Sequence, residues 1–234
     1  MSSILEIREL HAFIDQYHIL QNVDFSVPKD SVTVLLGRNG AGKTTTLKSI
    51  LGLTTIKKGK VIFEGQEVQG MHTYEIGSLG IGYVPENRII FRNLSVEENL
   101  KIGERKKGDY DRKIDFIFDL FPDLKKFLSL KGTNLSGGQQ QMLAIARALV
   151  ADNHLLLIDE PSEGLAPVII EHLIDVIQQL SQHITVLLVE QNFLVASKLA
   201  SNFVIIEEGQ SVESGKMKDL ENNKAMIHRY LGAA

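Results

Sequence analysis

The chain has 234 residues, 44% hydrophobic and 23% charged, a composition typical of a globular protein with a full core. Its net charge of −4 provides no basic field for nucleic acid, so we expect no nucleic-acid partner. The lack of cysteine excludes disulfides, thiolate catalysis and cysteine metal ligands. No leader pattern opens the sequence, and no apolar run approaches the roughly 20 residues that span a bilayer, so we expect a cytoplasmic location.

The first elements are short and apolar. Residues 5–36 alternate brief apolar runs with polar turns, which predicts a small antiparallel sheet. Residues 32–36 (VTVLL) form a continuous apolar run, which is typical of a strand buried on both faces.

A glycine-rich stretch follows this strand and matches the phosphate-loop pattern G-x-x-x-x-G-K-[ST] at every fixed position. Its glycines allow a tight turn with inward-pointing amides, and the helical pattern behind it adds a helix N-terminus, which attracts anions. In such loops the lysine reaches the β- and γ-phosphates and the threonine hydroxyl binds Mg²⁺, the roles expected of Lys43 and Thr44. The expected nucleotide-binding residues of the loop are Gly37, Arg38, Asn39, Gly40, Ala41, Gly42, Lys43, Thr44 and Thr45.

The middle of the chain changes character. Strands are predicted at residues 61–63 and 81–84, whereas helical periodicity dominates from residue 94 to 150. We interpret the chain as a single domain, residues 1–234, in which residues 86–150 are a helical subdomain. This subdomain is inserted into a nucleotide-binding core formed by residues 1–85 and 151–234. The charged run at residues 104–109 predicts a solvated loop.

The segment LSGGQ at residues 135–139 opens an amphipathic helix. Ser136 and Gln139 have the spacing of a capping box, and by itself this spacing favours only a well-capped helix. The adjacent Gly137 and Gly138 leave the backbone amides at the helix start unobstructed, which indicates a second anion site.

The sheet resumes at residues 155–158 (LLLI), and this apolar strand runs into Asp159 and Glu160. Further strands at residues 185–189 and 203–206 alternate with helical patterns, which predicts an α/β fold with a mostly parallel sheet. Since ligands of such sheets bind beyond the carboxyl ends of the strands, the two carboxylates are candidate site residues.

The phosphate loop, LSGGQ and the strand before Asp159 occur in this order, and together they resemble the ATPase subunit of ATP-binding-cassette (ABC) transporters over essentially the whole chain. The resemblance implies a P-loop NTPase with a mostly parallel core, a small antiparallel β subdomain and an inserted helical subdomain. It also implies ATP and Mg²⁺ as cofactors. A second ATPase subunit, identical or homologous, is expected to close head to tail, so that Ser136, Gly137 and Gly138 contact the γ-phosphate held by the partner.

The same resemblance assigns the roles at the ends of the strands. Asp159 is expected to hold Mg²⁺ through water, and Glu160 to orient or deprotonate the attacking water. Glu86 replaces the glutamine usual in the family and is expected on the magnesium side or the water side. Gln191 replaces a switch histidine and can donate a hydrogen bond to the γ-phosphate, but it cannot become cationic.

These departures, with VPE at residues 84–86, VEQN at 189–192 and GLAP at 164–167, resemble the ATPases of the branched-chain amino-acid importer. That implies a peripheral position on the inner face of the cell membrane and integral-membrane permease subunits that dock near residues 86–92. A periplasmic or extracellular substrate-binding protein is implied as an indirect partner.

Other functions remain open at this point. Related importers of urea, amides or other amino acids share these motifs. A soluble ABC ATPase that acts on DNA or ribosomes typically carries insertions that are absent here, and a small-molecule kinase leaves LSGGQ unexplained.

The family's adenine-stacking aromatic aligns with Ile14, which is not aromatic. Its neighbours Phe13 and Tyr17 are aromatic, and we take Phe13 as the candidate for stacking on adenine. The alternative is that both rings only pack against the protein.

Overall fold

The computed structural model describes residues 2–232, and the strands of this part form one mixed ten-stranded sheet. In chain order they are β1 (Ser3–Ile14), β2 (Tyr17–Pro28), β3 (Val32–Leu36), β4 (Thr55–Phe63), β5 (Gln66–Glu67), β6 (Ile81–Val84), β7 (Leu155–Asp159), β8 (Thr185–Val189), β9 (Asn202–Glu207) and β10 (Gln210–Lys216). Across the sheet the order is β5-β4-β1-β2-β10-β9-β3-β8-β7-β6.

The α-helices of residues 2–232 are mostly short, and none is long and apolar enough to cross a membrane. They are α1 (Lys43–Ile50), α2 (Thr73–Ser78), α3 (Val96–Lys101), α4 (Asp109–Leu120), α5 (Pro122–Lys126), α6 (Gly137–Ala148), α7 (Pro167–Leu180), α8 (Phe193–Leu199), α9 (Met217–Glu221) and α10 (Lys224–Leu231).

The parallel half of the sheet positions the site. Strand β3 lies between β8 and β9, and β7 and β6 continue the parallel pairing on the β8 side. Every residue of β3, β7 and β8 is buried, which explains their continuous apolar sequences, because such strands are covered on both faces. The carboxyl ends of the three strands therefore meet at one edge of the sheet.

The antiparallel half contains the pair β1 and β2, as the alternating first segments predict, and β4 and β5 extend it. Strand β10, which the sequence analysis did not anticipate, joins the halves: it pairs antiparallel with β9 and parallel with β2.

The two faces of the sheet carry separate cores. In β3, Val34 and Leu36 pack into the core on the helical side, and Leu35 packs into the core shared with β1 and β2.

The charged run at residues 104–109 is a loop as far as residue 108 and is exposed at residues 105–107, as predicted, whereas Asp109 at the start of α4 is buried. The Arg105 guanidinium donates to the carbonyls of Ile81 (2.6 Å) and Asp152 (3.1 Å). The buried Asp109 carboxylate accepts the backbone N–H groups of Arg105 (3.0 Å) and Lys106 (2.7 Å). The exposed part of the run therefore agrees with the prediction, while Arg105 and Asp109 also tie the run to β6 and to its own backbone.

Candidate nucleotide site

The phosphate loop turns from β3 into α1, and two of its glycines are sterically required. Gly37 has φ +150°, and a Cβ there would lie 2.2 Å from the Ile206 carbonyl oxygen. Gly42 precedes α1 with φ +110°, and its Cβ would lie 2.8 Å from Leu20 Cδ2. The loop therefore lies too close to β9 and to the β1–β2 hairpin for a side chain at either position.

A pocket of about 280 Å³ lies over this loop, beside Glu160 at the end of β7. Arg38 lies outside its lining, and its guanidinium donates to the carbonyl of Arg229 at 3.2 Å. The residues that line the pocket are Ile19, Asn39, Gly40, Gly42, Lys43, Thr44, Thr45 and Glu160.

Lys43 is 4% exposed, and oxygen atoms surround its ammonium group. Nζ donates to the carbonyls of Gly37 (2.9 Å) and Arg38 (3.1 Å), and it lies 3.4 Å from Glu160 Oε1. The buried cation therefore adds to the positive potential of the α1 N-terminus at the pocket.

Asp159, the last residue of β7, faces two hydroxyl groups. Thr44 donates to its Oδ1 at 3.0 Å and Tyr83 to its Oδ2 at 3.4 Å. Burial raises the pKa of Asp159, although the hydrogen bond from Thr44 opposes this shift. The pKa of Tyr83 is also raised, first by burial and then by the neighbouring Asp159 carboxylate. The hydroxyl of Thr44 and the carboxylate of Asp159 form a pair of hard oxygen ligands suited to Mg²⁺.

Glu160 adopts a left-handed backbone conformation, φ +43°, which is uncommon for any residue except glycine. Its N–H donates to the Val189 carbonyl at 2.9 Å, so the pairing of β7 with β8 extends to it. Its carboxylate accepts a hydrogen bond from the Gln191 side-chain amide and faces Lys43 through the other oxygen. Two expected site residues from other parts of the chain, Lys43 and Gln191, thus contact the Glu160 carboxylate.

Phe13 does not line this pocket. Its ring stacks on His18, with ring centroids 4.3 Å apart and planes 2° from parallel. The hairpin residue that lines this pocket is Ile19 instead, and an aliphatic side chain has no aromatic pattern that would mark it in the sequence.

Glu86 lies in a neighbouring pocket of about 310 Å³, together with Glu163 and Arg88. Partial burial raises the pKa of Glu86, and the carboxylates of Glu163, Glu160 and Asp159 raise it further. In the described part of the chain it forms no hydrogen bond to Thr44 or Asp159.

The LSGGQ segment confirms its capping box. Ser136 Oγ accepts the N–H of Gln139 at 3.3 Å, and the Gln139 side chain accepts the N–H of Ser136 at 2.8 Å. A Cβ on Gly138 would lie 2.8 Å from the Ile169 side chain, so glycine permits the close approach of α6 to α7. Ser136 and Gly137 are exposed and lie outside the phosphate-loop pocket.

Two features near the site were missed from the sequence. Glu190 follows the apolar β8 and is 2% exposed, and a carboxylate at the end of a buried strand was the available signal. Arg88 Nε donates to Oε1 of the buried Gln141 in α6 at 3.0 Å, a long-range contact that no local pattern indicates.

Comparison with known proteins decides the family. The profile of the ABC transporter family matches residues 20–163. The high-affinity branched-chain amino acid transport ATP-binding protein BraG of Pseudomonas aeruginosa is 39% identical over 232 residues, which cover 98% of this chain and all of the relative. The chain belongs to the ABC transporter ATP-binding family. This ABC ATPase is also 39% identical to the probable branched-chain amino acid transport ATP-binding protein LivF of Archaeoglobus fulgidus, over 91% of this chain and 92% of that one.

The fold of the ABC ATPase agrees with solved relatives. The ATP-binding cassette of an ABC transporter in its ADP conformation superposes with a TM-score of 0.87 at 23% identity, and the match covers both chains completely. The family and the fold class predicted from the sequence are therefore confirmed, and the chain is an enzyme that binds and hydrolyses ATP.

Proposed function

We propose that this ABC ATPase energises the import of branched-chain amino acids. The observation that carries the proposed chemistry is the meeting of Lys43, Glu160 and Gln191 beyond the ends of β3, β7 and β8. The cargo is supported by the names of two relatives, each 39% identical over more than nine-tenths of the chain.

The phosphate loop binds the triphosphate. Its amides and the N-terminus of α1 surround the β-phosphate, and Lys43 exchanges the carbonyls of its own loop for the β- and γ-phosphate oxygens. Asn39 and Thr45 complete the pocket wall, whereas Arg38 contributes through its backbone, because its side chain is turned away to Arg229.

Thr44 and Asp159 would hold Mg²⁺, because their hydroxyl and carboxylate oxygens already lie 3.0 Å apart at the pocket. A bound Mg²⁺ neutralises charge that develops on the phosphates. Glu86 lines the neighbouring pocket instead, and we assign it to the water side of this site rather than to the inner ligands.

Glu160 is the general base. Its carboxylate is oriented by the amide of Gln191 and lies at the pocket, where it can accept the proton of the water that attacks the γ-phosphate. Since Gln191 cannot become cationic, its contribution is a neutral hydrogen bond to Glu160 or to the γ-phosphate.

A second subunit completes each site. The start of α6 at Ser136 and Gly137 is exposed and lies outside the pocket of its own chain. The N–H groups of Gly137 and Gly138 are not used by the capping box, so they can bind the γ-phosphate of another subunit. A head-to-tail dimer, with a second copy or with a homologous ATPase, places each α6 opposite the other chain's phosphate loop.

The permease subunits dock at residues 86–92, and through them the chain sits on the inner face of the membrane. Ile89 and Phe91 are 61% and 46% exposed in this segment and offer apolar surface to a helix of the permease. Arg88 links the same segment to α6 through its hydrogen bond to Gln141. This contact connects the surface that docks the permease to the helix that closes on the partner's nucleotide. The substrate-binding protein meets only the permeases, on the opposite side of the membrane.

Uptake of labelled leucine tests this function in host cells that carry the wild-type chain, Lys43→Ala or the exposed control Lys57→Ala. We expect Lys43→Ala to abolish uptake, because the phosphates lose their buried cation, and Lys57→Ala to retain it. Unlabelled valine and isoleucine should compete with leucine, whereas alanine and urea should not. Unchanged leucine uptake in Lys43→Ala, with loss of uptake of another solute, would contradict the cargo and leave the ATPase in place.

A further inference from the structure

Glu190 is a buried carboxylate that the reaction described above does not use. It is 2% exposed at the carboxyl end of β8, and no lysine, arginine or histidine among residues 2–232 forms an ion pair with it. Burial raises the pKa of Glu190, while hydrogen bonds from Ser162 and from the Gln191 and Asn192 backbone oppose this shift. Burying a carboxylate costs free energy unless its oxygens accept hydrogen bonds, so the donors that bind Glu190 indicate its role.

Each oxygen of Glu190 serves a different loop. Oε1 accepts the N–H of Ser162 at 3.2 Å, two residues after Glu160. Oε2 accepts the N–H groups of Gln191 (3.2 Å) and Asn192 (3.3 Å). The carboxylate thus bridges the loop that carries Glu160 and the loop that carries Gln191.

The backbone of Glu190 ties this bridge to the rest of the site. Its N–H donates to the carbonyl of Leu35 in β3, the strand that leads into the phosphate loop, at 3.2 Å. On the far side, Asn192 caps α8 by accepting the N–H of Leu194 at 3.1 Å. The Gln191 loop is therefore held at both ends, at its start by the hydrogen bonds of Glu190 and at its end by the Asn192 cap of α8.

We propose that Glu190 is a positioning residue for ATP hydrolysis: its two carboxylate oxygens hold the Gln191 loop against the Glu160 loop, and so fix the hydrogen bond from Gln191 to Glu160. Three N–H donors need acceptors on both oxygens, and only a carboxylate provides them. A glutamine offers one acceptor oxygen, and its NH₂ group would face an N–H donor, so one loop is released. The inference rests on ATP hydrolysis at this site and is independent of the cargo.

A double-mutant cycle tests the proposal on the transporter complex purified through a tag on this chain. We expect Glu190→Gln to lower kcat about tenfold and to change the KM for ATP by less than about twofold. The reason is that a displaced catalytic group stabilises the transition state less, whereas ATP binding does not depend on it. In the Gln191→Ala background, Glu190→Gln should lower kcat by less than about twofold, since the group that it positions is already absent.

The control is Asp109→Asn, which removes another buried carboxylate that accepts two backbone N–H groups but lies in the helical region. It should leave kcat unchanged. If Glu190→Gln fails to fold, as judged by its thermal transition, Glu190→Asp replaces it in the cycle, because it keeps the charge and shortens the reach.

Two outcomes would overturn the proposal. Either an unchanged kcat in the Glu190 variant or a full additional loss in the Gln191→Ala background shows that Glu190 does not act through Gln191. A wild-type complex without Mg²⁺-dependent ATPase activity would instead contradict the proposed function, and this inference with it.

Discussion

At the scale of single residues, the site depends on oxygen and nitrogen atoms that the strand ends bring within hydrogen-bond distance. Glu160 holds a backbone conformation that costs on the order of 1 kcal/mol for a residue with a Cβ. The bond from its N–H to the Val189 carbonyl and the contacts of its carboxylate with Lys43 and Gln191 offset that cost. Strain of this kind at the end of a strand fits a residue kept for its chemistry rather than for stability.

We predict that Glu160→Gln retains ATP but hydrolyses it at least ~100-fold more slowly, because an amide cannot accept the proton of the attacking water. Steady-state ATPase rates and equilibrium binding of labelled ATP check both parts. Glu171→Gln, on the exposed face of α7, serves as the control and should match the wild type. Near-normal turnover in Glu160→Gln would move the role of the base to another residue.

At the scale of elements, two helices begin with the same capping arrangement but in different settings. In α3, Ser95 Oγ accepts the Glu98 N–H at 3.2 Å, and in α6, Ser136 Oγ accepts the Gln139 N–H at 3.3 Å. Both caps satisfy amides at a helix start. Only the α6 cap is followed by two glycines, which leave amides open to an anion.

This pair allows stability and function to be separated. We predict that Ser95→Ala and Ser136→Ala each lower the free energy of unfolding by about 1 kcal/mol, the usual loss of a helix cap. Only Ser136→Ala should also lower ATPase activity, because its hydroxyl is proposed to contact the partner's γ-phosphate. Urea denaturation and ATPase assays on both variants provide the comparison, and equal activities would remove Ser136 from the site.

At the scale of the whole molecule, the helical region is joined to the sheet by polar contacts as well as by the apolar core. Arg105 reaches the carbonyl of Ile81 in β6, and Asp109 fixes the backbone that carries Arg105. Burial raises the pKa of Asp109, but hydrogen bonds from the backbone of Lys106 and Arg105 and from the Arg112 side chain outweigh it and leave this pKa below its ordinary value.

Because the pKa of Asp109 is lower in the folded chain than in the unfolded chain, its ionised carboxylate stabilises the fold at pH values above its unfolded pKa, near 3.8. This contribution is lost as the pH falls through the pKa of the folded chain. We therefore predict that Asp109→Asn lowers the free energy of unfolding by about 1–3 kcal/mol at pH 7, the cost of weakening the hydrogen bonds that a buried carboxylate accepts. Urea denaturation between pH 7 and pH 3 should show the variant and the wild type converging below about pH 4. A difference that persists unchanged at pH 3 would contradict the ionic role.

The sequence by itself determined the features that depend on neighbouring residues. The phosphate loop, the α6 capping box and the strands that end at Asp159 and Val189 are contiguous patterns, so local sterics and hydrogen bonds fix them wherever they occur. The same patterns, in this order, were sufficient to identify the ABC ATPase fold and its family.

Only the tertiary structure decided which side chains meet. The hydrogen bond between Gln191 and Glu160, and the bridge from Glu190 to Ser162, depend on the pairing of β7 with β8, strands that lie 25 residues apart in the chain. Strand β10 and the path of Arg105 are likewise set by distant partners. Burial turns a charged residue such as Glu190 from a surface group into a fixed acceptor, and burial is a property of the packed molecule that no local pattern contains.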